Sequence, residues 1–205
     1  RSSLWLKPLS LKDFSLAFLA SYIFNTDCFS KIKEMLNFGS VNEHRIRMKL
    51  KRPYWASNGS SVKNLWNVKE GSFTDIFYNK LLSYDEEEYG YGAFVELIRE
   101  EDEFVLGAGS IELLREIAKT PLELYTQLKA FMEADVLDEI LIDVRKGEDS
   151  FPLTLFSEGE KQLANLLLLL DLTKEYKALF LLDEFDSYLH PTWQREFVEM
   201  IHSID

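Results

Sequence analysis

Cysteine is almost missing from this chain of 205 residues, where Cys28 stands alone. A single thiol cannot close an internal disulfide, so no covalent staple holds the fold. That usage fits a reducing, cytoplasmic compartment. Histidine is nearly as scarce, three in all, and no His or Cys spacing matches a zinc site. No apolar run approaches the roughly 18 residues of a membrane span. The opening "RSSLWLKPLSLKDF" lacks a secretory pattern, because charges and a proline interrupt its short apolar stretch. Positive charge is also in deficit. With 23 Lys and Arg against 35 Asp and Glu, the net charge of -12 excludes broad, non-specific wrapping of nucleic acid. A local basic surface is not excluded.

What is present describes a packed protein. A hydrophobic fraction of 46% with 14% aromatics excludes a disordered chain, and the length suits one large domain or one domain with an extension. There is no internal repeat and no extended low-complexity segment. The lack of an initiator methionine is compatible with processing or trimming; the expectation is part of a longer protein.

Residues 11–36 carry apolar positions at helical spacing and predict one or two helices. "HRIRMKLKR", His44 to Arg52, alternates strictly: Ile46, Met48 and Leu50 on one face, Arg45, Arg47, Lys49 and Lys51 on the other. This predicts a half-buried strand with a cationic outer face. "PYWASNGSS" then reads as a loop, and the acidic "YDEEEYGYG" as a solvated turn region. "SIELLREIAKTPLELYTQLKAFMEA" predicts two helices broken before Pro121. "DEILIDVRKGEDSFPLTLF" predicts two strands joined by a Lys-Gly-Glu-Asp turn. A helix over 158–171, apolar on nearly every side, precedes a strand over 178–182 and a final helix over about 192–203 behind Pro191. Strand after helix implies an α/β layer, not a helical bundle.

Two motifs carry chemistry. In "KALFLLDEFDSYLHP" an apolar strand ends in two carboxylates, Asp183 and Glu184. Either they are solvated at the strand end, or they face a cation and a reacting phosphate. In "LFSEGEKQ", Ser157 and Glu160 form an S-x-x-E capping box, an ordinary helix start in isolation. Gly159 sits in the first turn, where glycine weakens a helix but permits close approach from outside. Helix N-termini present unpaired N–H groups suited to phosphate. Carboxylates hold Mg²⁺ sparingly beside phosphate oxygens, and phosphoryl transfer to water needs that metal and a residue to orient or deprotonate the nucleophile. The pairing assigns Asp183 to the metal and Glu184 to the water.

Together, "LFSEGEKQ…ALFLLDEFDSYLHP" resembles the signature motif, Walker B strand and D-loop of ATP-binding-cassette ATPases. It is most similar to the SMC and recombination-repair branch and the overcoming-lysogenization-defect-like ATPases. Among these it resembles ATPases of bacterial antiphage systems of the Septu type or associated with restriction. The resemblance covers 155–191. It implies an α/β, partial ABC-type ATPase domain: a mostly helical lobe or insertion with short strands over 1–150, and the signature helix, Walker B strand and D-loop over 151–205. It implies ATP and Mg²⁺ as cofactors and a nucleotide-sandwich homodimer or higher oligomer. Ser157, Glu158, Gly159 and Glu160 would contact ATP held mainly by a partner subunit. Asp183 would organise Mg²⁺ and Glu184 would act as general base. Asp186, Ser187 and His190 would lie in the D-loop at the dimer interface. An HNH-type nuclease partner follows from the same resemblance; no membrane association is expected, because no apolar run is long enough to span one.

Three departures stand out. Glu158 replaces the first glycine of the common signature and Glu160 its glutamine; both suit the SMC-like branch. Phe185 stands where proline usually follows the acid pair. His190 occupies the place often held by the D-loop aspartate. The phosphate-cradling G-x-x-x-x-G-K-[ST] loop is missing, since the chain contains no Gly-Lys pair. The expectation is a P-loop upstream of Arg1 and a switch histidine downstream of Asp205, His202 lying within a helical pattern.

Other candidates compete with blander readings. Arg45, Arg47, Lys49 and Lys51, with Tyr54 and Trp55 beyond, form either a nucleic-acid backbone contact or a solvated strand face. Asp85 to Glu88 could hold a cation, although four adjacent acids in a turn are normally solvated. "GAGSIE", Gly107 to Glu112, lacks the third glycine of a dinucleotide fingerprint and predicts a turn before a helix. Cys28 reads as a small core residue. The alternative to a hydrolysing enzyme is a non-hydrolysing, nucleotide-responsive scaffold, and the presence of Glu184 favours hydrolysis.

Overall fold

The computed structural model describes residues 11–50, 95–98, 103–106, 108–134, 137–176 and 189–202. The order is α1 (Leu11–Phe24), α2 (Asp27–Met35), β1 (Ser40–Leu50), β2 (Val95–Ile98), β3 (Glu103–Leu106), α3 (Ala108–Ile117) and α4 (Pro121–Glu133). There follow β4 (Leu137–Lys146), β5 (Asp149–Pro152), a 3-10 turn (Leu153–Leu155), α5 (Glu158–Thr173) and α6 (Pro191–His202). The expected strand over 178–182 lies outside the described residues.

Helix α1 is the hub. Phe14, Leu16, Ala17, Phe18, Leu19, Ala20 and Ile23 are all buried, so its apolar residues surround it rather than forming a stripe. It packs against α5, α4, β4, α3 and α2. Helix α2 is one-sided instead, burying Cys28, Phe29 and Ile32. Both helices stop at asparagines with positive φ, Asn25 at 48° and Asn37 at 53°. At each stop two N–H groups turn back onto the last turn. Asn25 N–H donates to Tyr22 C=O (3.0 Å) and Thr26 N–H to Ser21 C=O (3.1 Å). Asn37 N–H donates to Glu34 C=O (3.0 Å) and Phe38 N–H to Lys33 C=O (3.2 Å). These satisfy carbonyls that a helix end otherwise leaves unpaired.

The strands form one antiparallel sheet of order β2-β3-β1-β4-β5. Strands β2, β3 and β5 are short, at 4 residues each, whereas β1 has 11 and β4 has 10; β2 and β3 fall where the sequence pattern indicates no element. Ile46 and Met48 of β1 meet Ile142 and Ile140 of β4, and all four are buried. The β4–β5 turn is two residues long, with Lys146 opposite Asp149. Gly147 takes φ +65° at its first position, which glycine adopts without a Cβ clash.

β1 begins earlier than the alternation from His44 indicates, and the added stretch is irregular. The register runs Val41↔Val144 and then Ile46↔Ile142, five steps on β1 (46 − 41) against two on β4 (144 − 142). Asp143 alone faces this bulge. The two expected helices appear as α3 and α4, with Thr120 capping α4 through a bond from Glu123 N–H (3.1 Å) and Pro121 first in the helix. The turn expected over Gly107 to Glu112 is instead mostly helix, because α3 starts at Ala108.

One hydrophobic cluster joins α1, α2, α4, β1, β4 and α5. Residue 150, where the sequence reading divides the chain, falls inside β5, and side chains from both sides share that cluster. Helices therefore cover one face of an antiparallel sheet, and the fold class is α/β in this broad sense. Within the core a run of ring contacts leads toward α5: Phe18–Phe38 (5.8 Å between centroids), Phe38–Phe156 (6.4 Å) and Phe156–Phe151 (5.6 Å). The buried Phe156 immediately precedes Ser157, so the core itself fixes where α5 begins.

Candidate functional site

The start of α5 is the motif that the described residues display in full. Pro152 is extended, the turn Leu153–Leu155 buries Leu153, and Phe156 N–H closes onto Leu153 C=O (3.2 Å). Ser157 is then extended, at φ -61° and ψ 159°, as an N-cap should be. Its Oγ accepts from Glu160 N–H (3.3 Å), and the Glu160 carboxylate accepts from Ser157 N–H (2.6 Å). Both halves of the predicted capping box are thus made. Lys161 N–H opens the helical ladder on Ser157 C=O (3.0 Å). The N–H groups of Glu158 and Gly159 take no part in these three bonds. The Ser157 hydroxyl accepts in the box and keeps its own proton to donate.

Exposure divides this turn. Ser157 and Glu158 are exposed, Glu160 is half-buried, and Gly159 is buried. Contact from outside therefore reaches the cap through Ser157 and Glu158, while Gly159 faces the body of the fold. Lys161 was missed by the sequence reading, though Glu158 and Lys161 sit at a pairing distance of three residues. Its Nζ is 3.4 Å from Glu158 Oε2 and donates to Thr154 C=O (3.5 Å). The turn thus presents an ammonium as well as two carboxylates.

Behind the cap, α5 buries Leu163, Ala164 and Leu166 to Leu169, which sets it rigidly against α1 and α2. It also buries Asn165 and Asp171, polar positions the apolar reading of this helix passed over. Asp171 Oδ1 accepts from Lys174 Nζ (2.9 Å). The Cys28 thiol donates to Leu167 C=O (3.5 Å), and burial, then the Asp171 charge, pushes its pKa up to about 12. This is an inert core thiol, in line with the sequence reading.

Asp183, Glu184, Asp186 and Ser187 lie outside the described residues, as do Asp85 to Glu88, Lys51, Tyr54 and Trp55. His190 is described. It is exposed and caps α6: its C=O accepts from Gln194 N–H (3.1 Å) and its Nδ1 from Thr192 N–H (3.3 Å). Among the described residues, no group of three His, Cys, Asp or Glu side chains is arranged to hold a metal ion. None of the described helices is long and apolar enough to cross a membrane.

The cationic stripe of β1 is answered across the sheet. Lys49 sits opposite Glu103 on β3 and Glu139 on β4. Arg45 Nη1 is 3.5 Å from the buried Asp143 carboxylate. Arg47 lies between Val105 and Leu141. Two of the three described cations of the stripe therefore have an acid of β4 across from them, Lys49 by register and Arg45 by contact, which reduces the field available to a phosphate backbone. Two other polar contacts went unforeseen and join helices to their neighbours. The Tyr22 hydroxyl donates to Glu43, and burial, then that bond, holds the phenol well above its ordinary pKa. Arg115 Nε donates to Ile23 C=O (2.9 Å), tying α3 to the C-terminal turn of α1.

Residues 112–204, somewhat under half of the chain, match the family model described as "AAA domain, putative AbiEii toxin, Type IV TA system". This segment runs from α3 through the capped helix to the end of α6, and makes that part of the chain similar to an AAA-type ATPase domain. No curated protein and no solved structure matches the chain.

Proposed function

We propose that this chain belongs to an ATP-binding and hydrolysing switch that acts as a nucleotide-sandwich dimer and regulates an associated nuclease of the HNH type. The setting is bacterial antiphage defence or DNA processing, and toxin–antitoxin function enters through the description of the matched family model. The observation that carries the reading is the completed capping box of Ser157 and Glu160 inside the segment similar to an AAA domain.

The cap suits a terminal phosphate. The Ser157 hydroxyl can donate one hydrogen bond, and the N–H of the exposed Glu158 lies at a helix end that favours negative charge. The ammonium of Lys161 offsets Glu158, which would otherwise repel an anion. Asp183 and Glu184 enter on sequence alone: one carboxylate to hold Mg²⁺, the other to take a proton from the attacking water. Bound Mg²⁺ would neutralise charge on the phosphates. Hydrolysis on this reading needs two chains, the cap of one facing the acid pair of the other.

The test compares ATP turnover and nucleotide-dependent self-association of the full protein with those of Glu184→Gln. Loss of turnover with retained ATP binding and tighter dimers is the expected result. Equal turnover in a folded variant removes Glu184 from catalysis. Absence of turnover in both, with ATP still bound, leaves the non-hydrolysing scaffold.

A further inference from the structure

We draw no further inference here: the strongest candidate, the polar patch at the irregular stretch of β1 where Arg45 meets the buried Asp143 carboxylate and Arg145 donates to Asn42, carries nothing because nothing in the structure shows what covers it and a single water would satisfy the unpaired Asp143 oxygen.

Discussion

Ser157 has two duties on the proposed reading, closing the helix and donating to a phosphate, and substitutions can separate them. Ser157→Ala removes the acceptor for Glu160 N–H and deletes the hydroxyl. An N-cap Ser→Ala exchange costs roughly 0.5–2 kcal/mol, and the 3.3 Å bond here favours the lower half of that range. Glu160→Ala removes the shorter bond, 2.6 Å from a charged carboxylate to Ser157 N–H, together with a favourable charge in the first turn. A comparable loss of about 1 kcal/mol is expected. Because each bond holds the geometry the other needs, the double variant should lose less than the two single losses added together, by about 0.5 kcal/mol. Glu160→Gln keeps an acceptor and should lose least.

Ser157→Gly is the informative substitution, because glycine at an N-cap costs only a few tenths of a kcal/mol while removing the hydroxyl entirely. Urea unfolding of the full protein would measure the helix, and steady-state ATP turnover would measure the site. The expected pattern is near-native stability for Ser157→Gly with turnover reduced as strongly as in Ser157→Ala. Turnover that tracks stability across the series would reduce Ser157 to a cap. Unchanged stability in Ser157→Ala would refute the capping-box geometry itself.

Three further expectations can be checked on the folded protein. Phe156→Ala should cost about 3 kcal/mol, the lower end for a large aromatic, since the ring is at the core margin with contacts to Phe38 and Phe151; a loss under about 1 kcal/mol in urea unfolding would deny it the anchoring of α5. Arg45→Ala should destabilise more than Asp143→Asn, because the first strands a buried carboxylate and the second removes it; the reverse order in paired melts would contradict the pairing. Cys28, raised from 9.0 to about 12, should carry ~1000-fold less thiolate in the folded than in the unfolded chain at pH 8, and so react with a soluble thiol reagent only on unfolding. The raised value means this thiol contributes stability that is complete below about pH 9 and is lost as pH climbs toward 12. Rapid labelling of native protein would show the thiol is not buried as described.

What could be read without coordinates was local, and what could not was set by distant partners. The capping box spans four residues and depends on nothing outside them, so "SEGE" announced its own hydrogen bonds. The break at Pro121 and the tight turn at Gly147 were legible for the same reason. The alternation of Ile46 and Met48 gave the strand, but its irregular beginning did not show, because a bulge exists only relative to a partner strand. The same holds for charge. Along β1 the sequence shows Arg45, Arg47 and Lys49 and no acid between them, whereas the acids that face two of them, Glu139 and Asp143, come from a strand distant in the chain. A strand face cannot be assigned a field from its own residues when a neighbouring strand supplies opposite charges. The cap of α5 differs in kind: its two reciprocal hydrogen bonds and exposed Ser157 are fixed by the helix start itself, and Phe156 only sets where that helix sits. For that reason the start of α5, and not the basic strand, is where hydrogen bonds inferred from sequence are found in the fold as expected.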